Sequence, residues 1–229
     1  MNATEDFLEA VKAGDTTRVG ALLHDEPTLA REARSESGVS AFMLAVYCGH
    51  SEIVNLFIDE AIELNVFEAT AGGQTGSVEA LIDADPAVVN QFSPDGFTLL
   101  TLAAFFGRKE IMELLLMRGA DPNIASNNAM GVRPLNSAMA HRQPDVALAM
   151  GEMLLDHGAD PNYAQAGGWR PLHEAAAHGH ADKAKLLLSH GAEVNVRSED
   201  SRTPLQMALA ANHQQAADIL RQHGAHDDA

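Results

Sequence analysis

The chain has 229 residues, a formal net charge of −17, an ordinary apolar share of 46% and only 5% aromatic residues. So acidic a balance makes nucleic acid and anionic membranes poor partners, and no apolar run is long enough to cross a bilayer. A single cysteine, Cys48, leaves no intramolecular disulfide and fits a reducing compartment. The start, with Glu5, Asp6 and Glu9, lacks the basic and apolar stretches of a signal peptide, so a cytoplasmic protein is expected.

Few aromatics with abundant alanine, leucine and glycine suit short, closely packed helices better than a β-sandwich. In chain order, Phe7-Leu-Glu-Ala10, Val19, Leu22-Leu23 and Glu26-Pro27 predict a first helical pair. Ser40-Ala-Phe-Met-Leu-Ala45, Gly49-His50 and Glu52-Ile-Val54 form a fuller unit. The opening pattern then returns without a gap, 59 residues later, as Val66-Phe-Glu-Ala69, Val78, Leu81-Ile82 and Asp85-Pro86.

Three further segments line up: Thr98–Gly107, Arg170–Gly179 and Thr203–Asn212. Each is followed 12 residues later by a Gly-Ala pair, at Gly119, Gly191 and Gly224. Arg133-Pro-Leu-Asn136 opens another unit that reaches Gly158 four residues late, about one helical turn, so its helices or their link should be longer. Its loop, Ala125 to Val132, should be about two residues longer as well.

Thr203 is a natural N-cap and Pro204 sits where a missing N–H costs nothing. Gly107 and Gly179 suit the left-handed residue that ends a helix. Ile111, Leu114 and Leu115, and Leu186, Leu187 and Leu188, supply the apolar stripe of the second helix. His157, His190 and His223 precede a glycine, where a donor suits a helix C-terminus. In the last helix Gln214, Gln215, Asp218, Arg221 and Gln222 predict a wet outer face.

Arg170-Pro-Leu-His173, Gly119-Ala-Asp-Pro-Asn123 and Gly158-Ala-Asp-Pro-Asn162 are the residues by which this chain resembles the ankyrin repeat family, including its bacterial members. The resemblance implies an all-α solenoid of stacked helix-turn-helix units joined by short hairpin loops. The expected domains are 1–65, a cap-like repeat plus one full repeat, and 66–229, a cap-like repeat plus four repeats, the last a C-terminal cap. A cap-like unit inside the stack implies an irregular junction near Asn65, with the stack bent or missing a hairpin finger. Met43, Thr101, Asn136 and Gln206 replace the family's loop-bracing histidine, and Leu99 its proline, which predicts looser loops there.

No catalytic constellation is visible, so no enzyme and no cofactor is expected. His173, His178 and His180 match no zinc spacing, and no cysteine joins them. His173 falls on the loop-bracing position and His180 on the post-glycine position, while His178 has no structural role in sight. Cys48 has no catalytic neighbours and reads as a small packed thiol. Gly72-Gly73 and Gly167-Gly168 read as turns.

In ankyrin-type binders the hairpin tips and the ends of the first helices grip the partner. On this chain those positions collect Val39, Tyr47, Cys48, Phe97, Phe105, Phe106, Met130, Val132, His141, Trp169 and His178. Five of the 11 aromatics, including the only tryptophan, fall on the 25 such positions, where chance would place about one. The alternative for Phe105, Phe106 and Tyr47 is packing within the stack. The resemblance thus implies a protein–protein interaction module, monomeric when free; a dedicated inhibitor or immunity-type partner of one enzyme is the alternative, and a spacer has no reason to display Trp169 and Phe97. Residues 1–126 hold 20 acidic and 7 basic side chains, against 12 and 8 in 127–229. That asymmetry would steer a partner with a basic surface to the N-terminal half, or would serve solubility alone.

Overall fold

The computed structural model describes residues 2–60 and 62–226, so the last three residues of the expected 66–229 stretch lie outside it. The chain divides into two compact units, Met1–Leu99 and Leu100–Ala229. Among the described residues every regular element is a helix, and β pairing is confined to two isolated bridges, Arg34 with Ser40 and Phe92 with Thr98. The all-α reading holds.

The first unit contains α1 (Ala3–Ala13), α2 (Thr16–Asp25), α3 (Leu29–Glu32), α4 (Ala41–Cys48), α5 (Ser51–Asp59), α6 (Val66–Gly72) and α7 (Thr75–Ala84), then a 3-10 turn, Pro86–Asn90. Capping residues set where the helices start. Asn2 and Asn65 each accept the N–H three residues on, from Glu5 and Glu68, whose carboxylates bond back to the asparagine N–H. Ser40 caps α4 through the Met43 N–H at 3.2 Å. The core is aromatic: Phe57 packs edge-on against Phe7, with ring centroids 6.2 Å apart, and tilted against Phe42 at 5.9 Å.

The two halves of this unit repeat one another in detail. Helices α2 and α7 occupy equivalent spans, and Glu26 and Asp85, which close them, have nearly the same backbone angles. The first finger closes through Ser35 N–H to Val39 O and the second through Ser93 N–H to Phe97 O, both 2.8 Å. These are the two fingers of the unit, and 58 residues separate them. Helices α6 and α7 come between without a finger of their own. Of the Gly72-Gly73 pair only Gly73 leaves the helix; Gly72 is the last residue of α6.

The second unit begins inside α8 (Leu99–Phe105) and continues through α9 (Lys109–Met117), α10 (Pro134–Met139), α11 (Pro144–Asp156), α12 (Pro171–Ala177), α13 (Ala181–Ser189), α14 (Pro204–Ala210) and α15 (Gln214–Gln222). The late glycine at 158 is explained by α11, which has 13 residues where α9, α13 and α15 have 9. The longer loop is present too: Ser126 N–H bonds Val132 O across six positions, whereas Gln165 to Trp169 and Ser198 to Arg202 span four. His157, His190 and His223 each place Nδ1 2.8–3.0 Å from the carbonyl four residues back, closing the last helical turn. Gly107 and Gly179 have φ near +70°, and a Cβ on either would collide with the ring of His141 or His213 in the following repeat. That close approach makes glycine necessary there. In the second-helix stripe Ile111, Leu114, Leu115 and Leu187 are buried, while Leu186 and Leu188 are half-buried. The polar residues foreseen on α15 are all exposed.

The loops expected to be loose at positions 136 and 206 keep the family's brace with other chemistry. Asn136 Oδ1 accepts the Arg133 N–H at 3.3 Å and Gln206 Oε1 the Thr203 N–H at 3.0 Å, as His173 Nδ1 accepts the Arg170 N–H at 3.1 Å. Any acceptor of the right reach serves. Consecutive fingers are also joined by an asparagine ladder. Asn123 Nδ2 donates to Gly158 O and its Oδ1 accepts the Asp160 N–H; Asn162 does the same with Gly191 and Glu193. Asn195 repeats the pattern with Gly224 and His226.

Candidate functional site

In the first unit the candidate residues stand at the end of α4 and on the two fingers. Tyr47 is 37% exposed and donates its hydroxyl to Asp95 on the second finger. Burial, then that bond, pushes the phenol pKa well above its ordinary value, so Tyr47 remains a neutral donor. Asp95 also accepts from Ser93 Oγ at 2.5 Å, which fixes the carboxylate. Val39 and Phe97 occupy equivalent places, each half-buried with its N–H bonded to a serine Oγ, Ser35 or Ser93. Cys48 is exposed, not packed: it is the last residue of α4, beside the exposed Tyr47 and the left-handed Gly49 that ends the helix.

In the second unit Phe105, at the end of α8, is 57% exposed and Phe106 is half-buried, the two rings edge-to-face at 5.0 Å. Met130, at the tip of the long finger, is 58% exposed, and Val132 at its base is half-buried. Trp169 is half-buried with its ring centroid 6.2 Å from that of His173. His173 is fully buried, bridging Arg170 N–H and Arg202 O, and burial lowers its pKa. His141 lies over Gly107, so its ring serves packing between repeats. His178 does have a structural role: Nδ1 bonds the Glu174 carbonyl at 3.0 Å at the end of α12.

The structure therefore sorts the eleven positions. Tyr47, Cys48, Phe105, Met130 and His178 are exposed, and Val39, Phe97, Phe106, Val132, His141 and Trp169 are half-buried. Sequence reasoning did not single out Phe92, 39% exposed beside its bridge to Thr98, or Met117, 69% exposed at the end of α9. It also passed over Tyr163, whose ring carries the Arg133 guanidinium at 3.8 Å and whose hydroxyl bonds Gly131 O, bracing the long finger. Among the described residues no group of three or more His, Cys, Asp or Glu side chains is placed to hold a metal ion, and no helix is long and apolar enough to cross a membrane.

The sequence profile for ankyrin repeats (three copies) matches residues 66–164 and 147–229. This chain belongs to the ankyrin repeat family. Ankyrin repeats are non-catalytic protein-interaction modules. Among individual relatives, an ankyrin repeat-containing protein of Treponema pallidum is 33% identical over 147 residues, covering 58% of this chain and 47% of its own length. Human SH3 and multiple ankyrin repeat domains protein 1 is 29% identical over 168 residues, 69% of this chain but 8% of that protein. Human cyclin-dependent kinase inhibitor 2A is 38% identical over 99 residues, 43% of this chain and 58% of the inhibitor. The match thus spans about half or less of the first two relatives.

Proposed function

We propose that this ankyrin repeat chain binds a partner protein through its finger tips and the ends of its first helices. One observation carries the reading. Five large hydrophobic side chains are exposed among the described residues, and three of them, Tyr47, Phe105 and Met130, fall on the positions by which the family grips its partners. A single exposed apolar side chain is ordinary; what supports the reading is that three of the five fall on those positions. Many of the polar side chains are taken up in caps, in the asparagine ladder and in finger closures, which supports a binding role over a catalytic one. We also propose a cytoplasmic location, from the free Cys48 and the acidic composition.

A second reading within the same class is an inhibitor of a single enzyme. It is favoured by relatives named as kinase inhibitors, among them human cyclin-dependent kinase inhibitor 2A and rat cyclin-dependent kinase 4 inhibitor B, at 38% and 40% identity.

The half-buried state of Phe97 and Trp169 shifts the test to the more exposed pair. Phe105→Ala with Met130→Ser is expected to leave the unfolding midpoint nearly unchanged, because exposed side chains contribute within about 0.5 kcal/mol. Affinity for the partner, measured by calorimetry, should fall at least tenfold. Unaltered affinity in a folded double variant would remove these residues from the grip.

A further inference from the structure

Between the two fingers of the first unit lies a cleft, at the place where a regular stack would carry a finger on α6. Its walls are Arg34 and Val39 of the first finger and Asp95 of the second, and its floor is Met43, Phe67 and Glu68. Glu68 is only 7% exposed, yet one carboxylate oxygen alone, Oε2, is engaged, by the Asn65 N–H at 3.0 Å. Its Oε1 accepts no hydrogen bond from any described residue and belongs to a side chain that lines the cleft. That oxygen is not among the buried unpartnered atoms, so it keeps access to solvent through the cleft and is available to an incoming donor.

Asp95, which lines the same cleft, is held in place by Tyr47 and Ser93. Val39, Met43 and Phe67 add apolar surface to the same lining. Arg34, the cation in the lining, is exposed and donates to the Ala33 carbonyl at 3.0 Å. The surrounding unit, residues 1–99, carries 17 acidic and 4 basic side chains, a net of −13, whereas residues 100–229 carry a net of −4.

We infer that this cleft receives an arginine or lysine side chain of the partner protein, its aliphatic stem against Val39, Met43 and Phe67 and its cation between Glu68 and Asp95. The inference rests on the protein-binding reading above and adds where a basic residue of the partner is read. A long cationic side chain fits because its stem is apolar and its head is a multiple donor. The absent finger is then what opens the site.

The test is titration of the full chain with n-butylguanidinium, followed through the backbone amide signals in two-dimensional NMR. Shifts confined to Val39, Phe67, Glu68 and Asp95 are expected. Glu68→Gln, which keeps the acceptor of the Asn65 N–H, and Asp95→Asn, which keeps one of its two acceptor oxygens, should each weaken binding roughly two- to fivefold. Equal binding of neutral n-butylurea would overturn the proposal, as would shifts spread over all acidic surfaces or sulfate displacing the guanidinium at Arg34. The titration needs no partner, so its failure leaves the protein-binding reading standing, and failure of the Phe105 and Met130 test leaves the cleft result untouched.

Discussion

The two compact units reach the same helical-pair architecture by different means. Residues 1–99 contain no Gly-Ala-Asp-x-Asn motif and bury an aromatic cluster, Phe7, Phe42 and Phe57. Residues 100–229 bury aliphatic side chains such as Leu102, Ile111, Leu115 and Leu135, and tie successive fingers through Asn123, Asn162 and Asn195. The first unit relies on packing and leaves a gap between its fingers; the second joins its fingers by a repeated polar ladder. In the first unit aromatic packing stands where the second has its ladder, and the missing finger leaves the cleft in which the proposed recognition takes place.

That contrast is broken most severely at Phe57, which is fully buried and touches both other rings of the cluster. Phe57→Ala should cost about 3–5 kcal/mol. Amide exchange should accelerate across residues 1–99 while the Asn162 ladder amides stay protected. Uniform acceleration through both units would mean that they unfold as one cooperative body and that the contrast has no energetic counterpart.

The ladder is the converse case. Asn162→Ala removes the bond to Gly191 O at 3.0 Å and leaves the Glu193 N–H, now bonded at 2.8 Å, to water. Because the site is exposed, the expected loss is about 1 kcal/mol, with faster exchange at Glu193 and little change at Phe57. A loss as large as that of Phe57→Ala would show that the ladder outweighs apolar packing.

The smallest effect is pH-dependent and belongs to the second unit. Burial holds the His173 imidazole below the ordinary histidine value of about 6.5. Below that value the unfolded chain takes up a proton that the folded chain refuses, so stability is intact above it and declines as pH falls through it. His180 shifts in the same direction, also through burial. His190 opposes them, raised first by the Leu186 carbonyl and then by Asp156, so its contribution is present at low pH and is lost as pH rises. His173→Gln, the residue that serves the same brace at position 206, should reduce the drop in urea midpoint between about pH 7.5 and pH 5.5. An unchanged drop would assign the pH dependence to other groups.

Much of this was legible in the sequence because repeats expose their own errors. The four-residue delay before Gly158 appeared as a longer α11, and the longer loop at 125–132 as the Ser126–Val132 closure. What was not legible depends on reach and on direction. Asn136 and Gln206 brace their loops because a short amide can meet the same N–H as a histidine ring, a matter of distance that family likeness does not settle. Cys48 reads as a packed thiol, but it is exposed at the end of α4, and which side of its helix a terminal residue faces is not written in its neighbours. The candidate grip divides by burial for the same reason: Phe105 and Met130 reach solvent, while Trp169 leans toward His173.

The central claim, that finger tips and first-helix ends hold a protein partner, is tested most directly by site-specific photo-crosslinking in cells. A photoreactive phenylalanine at position 105 or 130 should capture the same single protein. The same group on the exposed faces of the second helices, in place of Lys185 or Gln215, should capture little. Equal capture at all four positions, or different proteins at 105 and 130, would contradict it.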